Sequence, residues 1–196
     1  MSQFNLHLDS SIDENYAHGL LPQRNQKNIF YRETSSRSNL HNFSISSENR
    51  RIINKTNQYS FQIIPLNQFN YDLSVQKTIF KWIKDIGWDF PISSVKKIFT
   101  DHIFNYLYVW KNEKQKIIAY SICYFSEKIS HIAYVFYDPE YSHNNLPIRL
   151  TLQVVVDSHE KGLEFCYLGR FSEKSGFYKR TMPGFEYFKD QKWITL

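Results

Sequence analysis

Cysteine is nearly missing from this 196-residue chain, which has only Cys123 and Cys166. Two thiols cannot build a disulfide framework or a four-cysteine metal site, and a reducing cytoplasm is the expected compartment. Long apolar runs are also missing. The longest falls far short of the roughly 20 residues that a membrane-spanning helix needs, so no such helix and no membrane partner are expected. Met1 to Asp9 has no basic start followed by an apolar block, which argues against a secretory signal. No Gly-x-Ser-x-Gly element is present, and neither cysteine has an obvious histidine partner. The histidines are scattered without ligand spacing, so no metal site is expected. Both cysteines lie in apolar runs and read as small core residues.

Apolar and aromatic residues are plentiful. Hydrophobic residues make up 42% of the chain and aromatic ones 17%, enough for a sizeable, aromatic-rich core in a domain of this length. The formal charge is +5, which by itself only weakly suggests a polyanionic partner. With 20 Ile, 16 Lys and 15 Asn against 3 Ala, codon bias explains the total equally well. The distribution says more. Residues 1–23 hold no lysine or arginine, whereas residues 24–55 hold seven basic residues and only two acids, Glu33 and Glu48.

Residues 1–58 read as a polar, partly extended N-terminal segment, and residues 59–196 as a folded domain. Phe4–Leu8 and Asn28–Tyr31 are short strand candidates, and Thr34 to Asn49 reads as a loop or extended stretch. The apolar spacing from Leu73 to Ile86, closed by Gly87, predicts an amphipathic helix. A shorter helix is expected over Ser93–Ile103. Tyr106–Trp110, Ile117–Phe125 and Ile129–Tyr137 predict an antiparallel meander. Leu146–Lys161 fits both strand and helix periods, and its length favours helix. Glu164–Leu168 is a strand candidate ended by Gly169, and Phe185–Phe188 with Trp193–Leu196 reads as a closing hairpin. This order predicts an α+β layer arrangement.

Phe136-Tyr137-Asp138-Pro139, then Tyr167-Leu168-Gly169, Tyr178-Lys179, Pro183, Glu186 and Trp193 follow one another in an order that resembles the arginyl/leucyl-tRNA–protein transferases. Leu20-Leu21-Pro22, Ile29-Phe30-Tyr31 and the Arg50-Arg51 pair extend the resemblance over nearly the whole chain. The chain departs from that family in lacking its Cys-Pro-x-Cys element, and Asn145-Leu146-Pro147 replaces its Ser-Leu-Gly. The resemblance implies a Gcn5-related acetyltransferase-like fold, with a mostly antiparallel sheet flanked by helices. It implies transfer of Arg or Leu from aminoacyl-tRNA to the N-terminal residue of an acceptor protein, typically acidic, as an N-degron tag. Aminoacyl-tRNA would be the co-substrate and no cofactor is implied.

Aminolysis of an activated ester needs two held substrates, a neutral amine and a stabilised oxyanion, but no covalent triad. On that reading Tyr178, Lys179, Asp138 and Glu186 are the catalytic candidates. Arg170, Arg180, Tyr167 and Gly169 are the substrate-binding candidates. Arg37, Arg50, Arg51 and Lys55 are the tRNA-binding candidates. Two other functions fit parts of the sequence. An acyl-CoA-dependent acetyltransferase would need a glycine loop for the pyrophosphate, and His143 to Leu150 contains no glycine. A non-catalytic RNA- or peptide-binding remnant is consistent with the missing cysteines.

Overall fold

The computed structural model describes residues 11–172 and 176–195. The Phe4–Leu8 strand candidate and Leu196 lie outside them. The chain opens with α1 (Ile12–Ala17), started by a capping box in which Ser11 and Glu14 satisfy each other's backbone N–H groups. Then follow β1 (Leu20–Pro22), β2 (Phe30–Arg32), β3 (Ser35–Asn39), α2 (Ser47–Lys55), β4 (Ser60–Pro65), α3 (Leu73–Ile86) and α4 (Ile92–Thr100). The meander is β5 (Tyr106–Lys111), β6 (Ile117–Phe125) and β7 (Ile129–Tyr137). It is followed by α5 (Leu146–Glu160), β8 (Phe165–Arg170), β9 (Phe185–Lys189) and β10 (Lys192–Thr195).

Helix α3 matches its expected span. Asp72 caps its first turn through Ser74 and Val75, and Gly87 ends it in the left-handed conformation. The ambiguous Leu146–Lys161 segment is helical. Most of its residues are buried, so its apolar pattern runs almost all round and hides the period.

Eight strands form one sheet in the order β10-β9-β3-β8-β7-β6-β5-β4, and β1 and β2 form a separate hairpin. Neighbours in the large sheet are antiparallel except β7 and β8. Helices α1, α3 and α4 with the β1–β2 hairpin bury one face, around Tyr16, Ile79, Trp82, Phe99, Tyr120 and Phe136. Helix α5 covers the other face, around Tyr108, Trp110, Leu150, Val154 and Cys166, and α2 leans on it.

The Ser-rich stretch expected to be a loop or an extended segment supplies β3, which lies between β8 and β9. It carries no apolar alternation because its side chains are buried as polar groups. Ser36 Oγ donates to the Gly169 carbonyl at 2.8 Å, and Arg37 and Asn39 both reach Glu186. Among the described residues no helix is long and apolar enough to cross a membrane.

Candidate active site

The parallel pair β7/β8 holds together over three residue pairs only: Ile129↔Phe165, Ser130↔Cys166 and His131↔Tyr167. Both strands then take an extra residue. On β7 the register against β6 slips so that Ala133 has no partner, and on β8 the register against β3 slips at Leu168. Bulges bend strands and increase their twist, and these two lie where β7 and β8 part. Gly169 follows with a φ of +76°, a conformation that suits glycine. The two strands therefore part in mid-sheet, leaving an opening between β7, which stays paired with β6, and β8, which stays paired with β3.

Lys179 and His131 face this opening. A Cβ placed on Gly169 would sit 3.6 Å from His131 Nε2 and 3.8 Å from Lys179 Nζ. Lys179 lies in a short 3-10 turn, Phe177–Thr181, and its Nζ donates to the Arg170 carbonyl at 2.6 Å. Burial lowers the Lys179 ammonium to about 8. His131 is 3% exposed, and its Nδ1 shares a 2.7 Å hydrogen bond with the fully buried Tyr16 hydroxyl. Its Nε2 has no partner among the described residues. Burial, followed by the nearby Lys179 and His102, lowers His131 to about 3, so the ring is neutral at ordinary pH. A neutral imidazole with one nitrogen tied and the other open orients a polar group; it is too weak a base to remove a proton in the ground state.

Tyr178 points to the α5 side of the sheet. Burial raises its phenol, a hydrogen bond with Thr151 of α5 opposes that, and Tyr137 of β7 raises it further. Tyr178 and Lys179 therefore bracket the opening from the two faces of the sheet.

The other candidates are dispersed. Arg37 is 8% exposed. Its guanidinium lies between the rings of Phe165 and Trp193, at 3.7 and 4.0 Å from their centres, and its Nε donates to Glu186 at 2.7 Å. Glu186 is equally buried and also accepts from Asn39. Both residues are committed to each other inside the protein. This corrects the expectations that Arg37 contacts RNA and that Glu186 handles a proton. Tyr167 is likewise a core ring, 4.8 Å from Tyr16 and 5.7 Å from Trp193, and cannot stack on a base.

Asp138 turns away from the opening. It caps the turn after β7 through the Glu140 N–H and pairs with Lys116 at 3.1 Å. Arg170 contributes its carbonyl to Lys179 while its exposed guanidinium lies 3.5 Å from Glu33. Arg180 stacks beside Phe177 and Phe171. Arg50, Arg51 and Lys55 are exposed on α2, a helix where an extended stretch was expected. Arg51 is paired with Glu48, and Arg50 Nη1 donates to the Ile45 carbonyl.

His131 and Tyr16 were not singled out from the sequence as working residues. A lone histidine in an apolar strand carries no spacing signal, and its partner is 115 residues away. Cys123 and Cys166 are buried with their thiols pushed up by burial, which keeps them protonated and inert. Among the described residues no group of three or more His, Cys, Asp or Glu is placed to hold a metal ion.

The start of α5 lies next to the end of β7. Asn145, left-handed at a φ of 61°, precedes the helix without a side-chain cap, and Pro147 removes one N–H from the first turn. The Arg149 N–H is already bonded to the Asn145 carbonyl. Few backbone donors remain there for a pyrophosphate, and no glycine allows the chain to wrap one.

No protein-family model matches the chain, and no curated protein sequence matches it. Solved structures do. One is the C-terminal domain (DUF2156) of a protein assigned as a lysylphosphatidylglycerol synthetase from Agrobacterium fabrum. It aligns with a TM-score of 0.53 at 12% identity, over 81% of this chain and 50% of that one. Another is a GCN5-related glucosamine N-acetyltransferase region of a fungal multi-domain β-N-acetylglucosaminidase. It gives a TM-score of 0.51 at 14% identity, over 79% of this chain and 19% of that one. The chain thus spans half or less of the length of either neighbour. At such identities the likeness is one of fold, and the eight-stranded sheet with helices on both faces has the Gcn5-related acetyltransferase architecture.

Proposed function

We propose that the chain transfers an aminoacyl group, Arg or Leu, from aminoacyl-tRNA to the N-terminal amine of an acceptor protein. The observation that carries this reading is the opening between β7 and β8, with Lys179 and His131 on one side and the glycine-free start of α5 beside it. An acyl carrier held by a pyrophosphate cradle is poorly served there, whereas an ester carried on RNA needs no such cradle. The ordered resemblance to the arginyl/leucyl transferases supports the same reading. The Agrobacterium neighbour bears the name of a synthetase with a lysyl group in its product.

On this reading the acceptor amine, with an ordinary pKa near ~8, attacks the ester carbonyl as the free base. The bond from that carbon to the tRNA ribose oxygen breaks, and the oxygen leaves with the electron pair and takes up the proton lost from nitrogen, directly or through water. Neutral His131 holds the amine through Nε2. Lys179, in its ammonium form, stabilises the oxyanion. The exposed arginines of α2 meet RNA phosphates.

The test is a mass assay. The purified chain, tRNA charged with Arg or Leu, and peptides beginning with Asp, Glu, Arg or Lys are expected to yield peptides heavier by one aminoacyl residue. Lys179→Ala is expected to cut that rate ~10- to 100-fold, the loss of one charge-assisted hydrogen bond. Equal or faster transfer from acetyl-CoA, with none from charged tRNA, overturns the proposal in favour of an acetyltransferase.

Arg50→Ala combined with Arg51→Ala is expected to weaken tRNA binding and to flatten its salt dependence, because both side chains are exposed. Their removal breaks a surface ion pair, Arg51 with Glu48, and one exposed hydrogen bond, from Arg50 to the Ile45 carbonyl, and should change stability by less than ~1 kcal/mol. Filter binding at several salt concentrations checks the first outcome, and urea denaturation the second.

A further inference from the structure

We propose that Lys179 is itself an acyl acceptor, taking the acyl group of an activated ester onto Nζ to form a stable amide that blocks the opening. The proposal rests on the reading above only in needing activated esters to reach this opening.

The geometry favours attack by this amine. Nζ stands at the parting of β7 and β8, beside the space left by the missing side chain of Gly169. Its hydrogen-bond partner among the described residues is a carbonyl, that of Arg170. No carboxylate among the described residues is paired with it to hold it as an ammonium. A neutral amine can still donate one N–H to that carbonyl, which leaves the lone pair directed elsewhere. The neighbouring His131 Nε2 brings no positive charge, since the ring stays neutral. Burial also brings the amine to about 8, so a large fraction is the free base at pH 8. Other lysines differ in kind. Lys116 is paired with Asp138, which raises it, and Lys27 and Lys97 stand near Asp101.

The step balances simply. The Nζ lone pair forms a bond to the carbonyl carbon, the bond from that carbon to the ester oxygen breaks, and the oxygen leaves with the electron pair. The proton lost from nitrogen goes to the leaving oxygen or to water. The products are an amide on Lys179 and a free alcohol or phenol. The amide carries no charge and is longer than the amine, so it removes the group facing the substrate and fills its space. The modification would therefore be self-inhibitory.

The full chain treated with p-nitrophenyl acetate between pH 6.5 and 10, followed by peptide mass mapping, tests this. At pH 8 Lys179 is expected to gain an acetyl group at least ~10-fold faster than the median lysine, because an ordinary lysine near 10.5 is almost wholly protonated there. Its rate should level off above pH ~8.5 while the others keep rising. Lys179→Arg, which keeps a cation at the position, should lose that acetyl and leave the slower sites unchanged. Labelling of Lys179 no faster than the exposed lysines, or a Lys179 rate that keeps climbing up to pH ~10 in parallel with theirs, overturns the proposal. Selective labelling without any aminoacyl transfer leaves this proposal standing and removes the functional one. Transfer without selective labelling does the reverse.

Discussion

Replacing Arg37 by alanine is expected to cost about 3–5 kcal/mol of folding stability, because it strands a buried glutamate without its cation. The Glu186 carboxylate accepts from Arg37 on one oxygen and from Asn39 on the other, and almost no water reaches it. The guanidinium also fills the space between Phe165 and Trp193, so its loss opens a cavity between two rings as well. Glu186→Gln should cost less, since the amide keeps the shape and some of the hydrogen bonding. Urea denaturation of the three proteins checks the ranking. A loss below ~1 kcal/mol for Arg37→Ala would show that the pair is not buried as described. Such a variant should also lose any tRNA affinity only in proportion to its unfolded fraction, unlike a variant at Arg50.

The second large effect is acid lability centred on His131. In the folded protein the ring takes a proton only near pH 3, whereas an unfolded histidine does so near ~6.5. The unfolded chain therefore binds more protons between those values. The stability that depends on a neutral His131 is complete above pH ~6.5 and is lost as pH falls toward 3. Between pH 7.5 and 4.5 this one residue should remove on the order of 2–3 kcal/mol. His131→Gln keeps a polar partner for the Tyr16 hydroxyl and cannot be protonated, so its stability should fall less over that interval. The comparison of the two slopes is the measurement, and any loss common to both pH values drops out. Equal slopes would mean that protonation of His131 is accommodated.

Much of the fold was legible because local rules agree with the tertiary result. The α3 helix has an Asp72 cap, a clear apolar stripe and a terminal glycine, and the β5–β7 meander alternates as half-buried strands do. Strand β3 was not legible. Its Ser-Ser-Arg-Ser-Asn sequence shows no strand alternation, since every reason for its being a strand lies on β8 and β9, more than 120 residues away. The site divides in the same way. The closeness of Gly169 to Tyr178 and Lys179 along the chain made their neighbourhood readable. The charges of Arg37 and Glu186 suggested surface chemistry because nothing local reveals that each neutralises the other. His131 was silent for a related reason. Its meaning depends on a bulge, an absent Cβ and a tyrosine from the first helix.

The position of β3 also has a temporal consequence. A ribosome delivers β3 long before β8 and β9, which are the strands that flank it. Until they emerge, a polar strand with open edges has nothing to pair with, while β4 to β7 can already assemble from near neighbours. Closing loops of this length is slow compared with forming a meander. Folding should therefore proceed from the β4 side of the sheet toward β10. The opening between β7 and β8 would then mark the boundary between the half that can form early and the half that must wait for β8 and β9 to emerge.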